Sequence, residues 1–343
     1  MIIRSRAPLR IGLAGGGTDV SPYSDTYGGA ILNTTISLYA HATIETLEEP
    51  KIIFEAHDRN EYAEFEASGH IDTGDRSFIL HKGIYNRLVR DKHLKPGTGF
   101  RLTTFVDAPA GSGLGTSSTL VVAVVNAFTE WLKIPLGEYD LAHYAFEIER
   151  LDLGLSGGKQ DQYAATFGGF NFMEFYRDDK VIVNPLRIKN DILFELENNL
   201  LLFFTETSRE SAAIIDEQVK NVTSRKADSI EAMHLLKEQA VMMKEALLKG
   251  NTDEIGRILD FGFQQKKKMA SSISNASIER IYEAAKQSGA SGGKISGAGG
   301  GGFMIFYCPG NTKFKVSQEL KRIGGILRSY NFTKHGAIAW RRK

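Results

Sequence analysis

Three glycine-rich stretches hold the residues whose types and spacing could do chemistry. They are Pro8-Leu9-Arg10-Ile11-Gly12-Leu13-Ala14-Gly15-Gly16-Gly17-Thr18-Asp19, Pro109-Ala110-Gly111-Ser112-Gly113-Leu114-Gly115-Thr116-Ser117-Ser118, and Lys294-Ile295-Ser296-Gly297-Ala298-Gly299-Gly300-Gly301-Gly302-Phe303. Glycines lack a Cβ, so main-chain N–H groups can approach an anion closely, and a helix that starts there adds its positive end. The middle stretch has both parts. It follows a strand-like run, Arg101 to Val106, and leads through Thr116, Ser117 and Ser118 into an apolar helix from Thr119 to Leu132. The three hydroxyl residues read as helix caps and the loop as a phosphate cradle. The structural alternative is a loop capped by Ser and Thr with no ligand.

Two familiar phosphate motifs are absent. A Walker A loop needs Gly, four residues, Gly, Lys and then Ser or Thr. Gly158-Lys159 is followed by Gln160, and Gly293-Lys294 by Ile295, with Leu153 and Ser288 at the opening positions. Gly297, Gly299 and Gly302 match the dinucleotide fingerprint in spacing, but that motif must open a helix. Here the β-rich run Phe303 to Cys308 follows.

Carboxylates are the other reactive groups. Glu149 ends a helical pattern, where the helix dipole opposes it. It reads either as a metal or partner contact or as a surface ion pair with Arg150. Asp161 lies in the polar run Gly157-Gly158-Lys159-Gln160-Asp161-Gln162, and a helix N-cap is its alternative reading. Gly16, Gly17, Thr18 and Asp19 suit hydrogen bonding to the hydroxyls of a polyol or sugar, or else an Asx turn or cap.

The elements that must position these groups alternate in type. Strands are expected over 30–45, 51–56, 101–106, 171–176, 200–205, 303–308 and near 336–340, from β-branched and aromatic runs. Helical periods cover 78–90, 119–132, 138–150, 212–221, 230–248, 253–267, 278–287 and 312–322. A polar break near 180–190 divides the chain into an expected first domain, 1–185, and a second, 186–343. The fold class is mixed α+β with two lobes.

The 343 residues are 42% hydrophobic and 24% charged, enough for a substantial core. Lys and Arg number 42 against 41 Asp and Glu, so no net field draws the chain to nucleic acid or an anionic membrane. The triplet Lys266-Lys267-Lys268 is read as facing water at a helix C-terminus. The single cysteine, Cys308, forbids an intramolecular disulfide and fits a reducing compartment. The N-terminus does not read as a signal peptide and the apolar run 120–125 is too short to span a bilayer. A cytoplasmic protein is expected.

Taken together, the motifs resemble those of the GHMP small-molecule kinases. All three family motifs stand in order between residues 8 and 303, and Pro109 to Ser118 is similar to the family's Pro-x-x-x-Gly-Leu-Gly-Ser-Ser-Ala loop, with Thr116 for the first Ser and Ser118 for the Ala. The resemblance implies an N-terminal α/β domain like that of ribosomal protein S5, with a left-handed βαβ crossover, and a ferredoxin-like C-terminal domain. It implies ATP and Mg²⁺, with the nucleotide on Pro109, Gly111, Ser112, Gly113, Leu114, Gly115, Thr116, Ser117 and Ser118. Ser117 and Glu149 are then the metal contacts, and Asp161 the catalytic carboxylate with Lys159 balancing charge beside it.

The first motif is similar to that of the family's sugar kinases of heptose and fucose metabolism and departs from galactokinase, which has Gly-Glu-His-x-Asp there. This implies phosphorylation at the anomeric O1 of a sugar, D-glycero-D-manno-heptose 7-phosphate first. L-fucose or another monosaccharide, and a non-catalytic sugar and ATP sensor, are the alternatives. Substrate contacts are expected from Arg10, Gly16, Gly17, Thr18, Asp19, Arg209, Gly299 and Gly300, with Arg10, Lys159 and Arg209 as cations for the phosphate. Surface solvation is the other reading of Arg209. A homodimer is left open.

Overall fold

The computed structural model describes residues 1–206 and 211–342. Arg209 lies outside them. The first lobe is built on an eight-stranded sheet with path order β12-β1-β2-β5-β3-β4, and β6 and β7 branch from β2. Its strands are β1 (Ile2–Ala14), β2 (Gly29–Thr46), β3 (Lys51–Ala56), β4 (Glu61–Glu66), β5 (Phe100–Val106), β6 (Phe170–Phe175) and β7 (Val181–Pro185), joined late by β12 (Ile338–Arg341). Strand β2 serves two neighbours on one side: its first part pairs with β6 and its last part, Ala40–Thr46, with β5. The fork falls where the β1–β2 register slips between Pro8 and Arg10. Pro8 has no N–H to give the ladder, and bulges of this kind re-aim side chains beside functional sites.

Between strands run α1 (Tyr23–Tyr27), α2 (Ile79–Arg90), α3 (Thr116–Leu132), α4 (Glu138–Phe146) and α5 (Gln160–Phe167). Strand β3 lies parallel to β5, with β4 and α2 in the connection. The helix α3 contains Val121, Val122, Val124 and Val125, residues of low helix propensity, all fully buried. Burial on every side of this run offsets what propensity loses. After α4 the chain does not stop at 150 as its apolar period suggests. Residues Glu147–Asp152 continue as a π-helical turn, which carries Glu149 and Arg150. Such turns shift the side-chain phase locally and are frequent at functional sites.

The second lobe carries α6 (Asn190–Asn199), β8 (Leu200–Phe204), α7 (Ser211–Thr223), α8 (Ala227–Lys249), α9 (Thr252–Met269), α10 (Ala276–Gln287), β9 (Gly292–Ile295), β10 (Phe303–Tyr307), α11 (Lys313–Arg322) and β11 (Ile326–Arg328). Its sheet order, β11-β8-β10-β9, is antiparallel throughout. Numbered within the lobe this is 4-1-3-2 in a βαββαβ sequence, the ferredoxin-like arrangement. The chain then returns, and β12 pairs antiparallel with β1, so the last strand of the 186–343 half belongs to the first sheet. Cys308 is buried, and burial pushes its thiol up to about 12. No helix among the described residues is long and apolar enough to cross a membrane.

Candidate active site

A cleft of about 550 Å³ lies where the first and middle glycine stretches meet the second lobe. Its floor is the start of α3. Gly115, the N-cap, has φ 76°, and no side chain caps the helix. The expected capping by Thr116, Ser117 and Ser118 is therefore corrected: Thr116 is the first helical residue, and the Ser118 hydroxyl donates to Glu149. The uncapped N–H groups leave the positive end of a 17-residue helix open to the cleft. Gly113 and Gly115 are required here. Both have positive φ; a Cβ on Gly113 would lie 2.6 Å from the Ser296 carbonyl oxygen, and one on Gly115 3.1 Å from Asp161 Cγ.

Asp161 stands in the first turn of α5. It does not cap that helix; both its oxygens are taken by Arg10. Arg10 Nε donates to Oδ1 at 2.7 Å and Nη2 to Oδ2 at 3.0 Å, a bidentate pair with Arg10 4% and Asp161 20% exposed. Arg10 Nη1 donates to the Gly113 carbonyl, and the Arg10 main-chain N–H to that of Leu114. A residue expected as a phosphate contact thus fixes the Asp161 carboxylate against the middle glycine stretch.

Lys159, expected beside Asp161, is not among the residues lining the cleft. Its buried ammonium lies 2.7 Å from Asp179 and 3.7 Å from Asp25. Lys159 and Asp161 are two apart where a helix begins, and residues at that spacing do not share a face.

Asp19 is buried in the cleft wall. Its Oδ2 accepts the Gln160 main-chain N–H at 3.0 Å, so it caps α5 from a distant loop. Burial foremost, and the charge of Asp161, hold its carboxyl above the usual range, against the Gln160 hydrogen bond and Arg10. Gly158 makes room for it, since a Cβ there would fall 1.9 Å from Asp19 Oδ2. Gly17 also lines the cleft. Thr18 does not: fully buried, its hydroxyl donates to the Gly15 and Ala30 carbonyls.

Glu149 is a buried member of a polar cluster in the same cleft. Its Oε2 accepts from Ser118 Oγ and from Gln162 Nε2, each at 2.7 Å, and Arg150 Nη1 lies 3.1 Å from Oε1. The ion pair with Arg150 exists, but inside the site. Ser117 lines the cleft and is exposed. Hydroxyls and a carboxylate are hard oxygen donors of the kind Mg²⁺ takes beside substrate phosphates. Among the described residues no group of three or more His, Cys, Asp or Glu could hold a metal alone.

The third stretch divides. Gly297 and Ala298 line the cleft, whereas Gly299 and Gly300 pack on the turn at Ser271–Ile273, with Gly300 N–H donating to the Ile273 carbonyl at 2.8 Å. Of the middle loop, Gly111, Gly113, Gly115, Thr116, Ser117 and Ser118 line the cleft; Leu114 is in the core, Ser112 is buried and Pro109 lies on the outer surface. Gly16 is set back, close to Lys266.

Ser118, expected as a cap and a nucleotide contact, instead joins Glu149 through its hydroxyl, and one cleft residue is not anticipated by the sequence. Lys266 was read as solvated, yet it is 2% exposed and lines the cleft. The signal was present: Ile255, Leu259, Gly262 and Lys266 recur at helical spacing on the buried face of α9.

The family model for the N-terminal domain of GHMP kinases matches residues 80–169, and that for the GHMP kinase C-terminal region matches 243–325. The chain is 49% identical over 339 residues to D-glycero-alpha-D-manno-heptose 7-phosphate kinase of Campylobacter jejuni, covering 99% of both chains. It superposes with a TM-score of 0.84 and 46% identity on the crystal structure of a D-glycero-D-manno-heptose 1-phosphate kinase from Bacteroides thetaiotaomicron, again over 99% of each chain. Lactococcus lactis galactokinase in complex with galactose shares the fold, with a TM-score of 0.77 over 98% of this chain and 95% of that one, at 17% identity.

Proposed function

The chain belongs to the GHMP kinases, and on that premise we propose that it transfers the γ-phosphoryl group of ATP to the anomeric O1 of D-glycero-D-manno-heptose 7-phosphate, giving the 1,7-bisphosphate. One observation carries this reading: an uncapped helix start and a fixed carboxylate, Asp161, stand side by side in one cleft.

The loop N–H groups of 111–117 hold the nucleotide phosphates, as donors already in place need no rearrangement when charge develops. Asp161 is held by Arg10 and 20% exposed, so it keeps lone pairs for the sugar O1–H. The O1–P bond forms as the bond from Pγ to the β,γ-bridging oxygen breaks. That electron pair leaves on ADP, and the O1 proton passes to Asp161. Asp19 and Gly17 contact the sugar hydroxyls. Ser117 and Glu149 would hold Mg²⁺, which when bound neutralises charge on the phosphates. ATP and a sugar phosphate as substrates place this work in the cytoplasm.

The second reading takes heptose 1-phosphate as acceptor, in line with the name of the Bacteroides relative. Phosphorus NMR of the product, with heptose 7-phosphate, heptose 1-phosphate and L-fucose offered separately, tests both. A new anomeric phosphate formed from the 7-phosphate, and lost in Asp161→Asn, is the expected result. Turnover confined to heptose 1-phosphate or to fucose would overturn the substrate assignment, and ADP release with none of the three would overturn the kinase reading.

A further inference from the structure

Lys266 is the unexplained cation of the cleft. It comes from α9 of the second lobe, and its Nζ donates to the Gly297 carbonyl. A Cβ on Gly16 would lie 3.7 Å from the same nitrogen. The ammonium therefore sits between the first and third glycine stretches. Gly297 in turn presses on the phosphate loop, where its Cβ would fall 2.6 Å from Gly113 Cα. A lysine ammonium has three N–H donors and no acceptor. One donor goes to Gly297, and among the described residues Lys266 forms no ion pair, although it is 2% exposed. Burying a charge so poorly matched costs stability unless a ligand completes it.

Of the other cations nearby, the buried ones are accounted for, and Arg76, which also lines the cleft, is exposed to water. Arg10 is neutralised by Asp161 and Arg150 by Glu149. Lys294 on β9 is buried, does not line the cleft, and donates to the Gly12 carbonyl at 2.7 Å; burial, then Lys266 and Arg10, push it well below the ordinary lysine range. Among the described residues Lys266 is the buried cation of the cleft lining that forms no ion pair, and it stands where the phosphate loop, Gly297 and the sugar loop converge.

We propose that Lys266 is a catalytic residue of this kinase, donating its two unspent N–H groups to oxygens of the phosphoryl group as it passes from nucleotide to sugar. The assignment rests on the kinase reading above and adds a residue from the second lobe to the reaction. Charge spreads over the equatorial oxygens of the phosphoryl group in transfer, and a buried donor aimed there acts most strongly at that stage. The groups facing Lys266 are Arg10 on β1, Asp19 on the loop after it, Asp161 on α5 and Lys294 on β9. Burial, then Arg10, lower its pKa to about 8 against the two carboxylates, so the charged form is lost as pH rises through that value.

The test compares Lys266→Met and Lys266→Arg with the wild type. Methionine matches the stem and removes a buried charge, so Lys266→Met is expected to melt no lower than wild type while kcat falls about 10²–10³-fold. Wild-type kcat/KM should fall above pH 8, and that of Lys266→Arg should not, because arginine stays charged. A kcat for Lys266→Met within threefold of wild type would overturn the proposal. So would a rise in KM for heptose 7-phosphate alone, with kcat and the KM of unphosphorylated heptose unchanged, because the anion held would then be the sugar's own phosphate. If the wild type phosphorylates no sugar, the functional reading fails separately. The residue is then judged on slow ATP hydrolysis by water, where Lys266→Met should still lose at least tenfold, and an unchanged rate would reject it.

Discussion

Breaking the Arg10–Asp161 pair from each side should give unequal results that the geometry fixes in advance. The two hydrogen bonds, 2.7 and 3.0 Å, are charge-assisted and bidentate. Hydrogen bonds to charged groups contribute about 1.5–3 kcal/mol each when sheltered. Asp161 is 20% exposed, so water screens part of this, and a coupling of about 2 kcal/mol is expected, roughly 30-fold in the folding equilibrium. Asp161→Asn leaves Arg10, only 4% exposed, with an uncompensated charge and should cost about 3 kcal/mol. Arg10→Met leaves a carboxylate that can hydrate, and the Gly113 carbonyl keeps a second donor in Ser296 Oγ at 2.8 Å. It should cost less. Urea unfolding of both single variants and the double variant measures the cycle. The double variant should be less destabilised than the sum. Additivity within about 0.5 kcal/mol, or a greater loss from Arg10→Met, would refute the claim that the pair is a sheltered unit. In turnover, Asp161→Asn should lose about 10²–10⁴-fold through the missing proton acceptor.

Two further outcomes follow from close contacts. Gly158→Ala puts a Cβ 1.9 Å from Asp19 Oδ2, so Asp19 must leave the Gln160 N–H. The sugar KM should rise at least about tenfold, while the affinity for an ATP analogue, set by the helix start, should stay within twofold; equal losses of both would show that Asp19 is not a sugar contact. His81 is buried on Thr104 and held neutral, its pKa lowered to about 3 by burial and then by Arg59. Below about pH 6.5 the unfolded chain takes up a proton that the folded chain refuses until about pH 3. Stability is therefore lost as pH falls through that window, by up to about 1.4 kcal/mol per pH unit. His81→Asn should remove that share of the slope in urea midpoints taken from pH 7 to 4, and parallel curves for variant and wild type would contradict it.

Local signals were legible and long-range ones were not. The β-branched run at 30–45 and the strand–loop–helix order at 101–132 appear almost as read, because period and turn chemistry are written within a few residues. The partner of Asp161 is 151 residues away, and nothing near Arg10 announces it. Lys159 misled for the opposite reason: nearness in sequence suggested nearness in function, but two-residue spacing at a helix start separates the side chains. Lys266 was hidden by its neighbours. Lys267 pairs with Glu279 and Lys268 bonds Gln265, as solvated lysines do, and only the apolar spacing of α9 sets Lys266 apart. Strand β12 is short and half exposed, and its pairing with β1 spans nearly the whole chain.

Glycine richness itself had two causes, and only one concerns a ligand. At 111–115 the glycines adopt positive φ so that N–H groups can face the cleft. They also let the second lobe come close to the main chain of the first. Lys294 reaches the Gly12 carbonyl, Ser296 Oγ reaches that of Gly113, Gln239 accepts the Gly15 N–H, and Phe303 N–H donates to the Ser112 carbonyl. Each joint pairs a group of the second lobe with a main-chain atom of the first. A carbonyl accepts from whatever donor reaches it, so the demand falls on closeness of approach, which any Cβ at Gly113, Gly297 or Gly302 would prevent. The glycines at 299 and 300 allow the same closeness within the second lobe, against the Ile273 turn. A substitution at Gly297 or Gly302 should loosen the seam between the lobes first and disturb the chemistry only through it, whereas one at Gly115 strikes Asp161 directly.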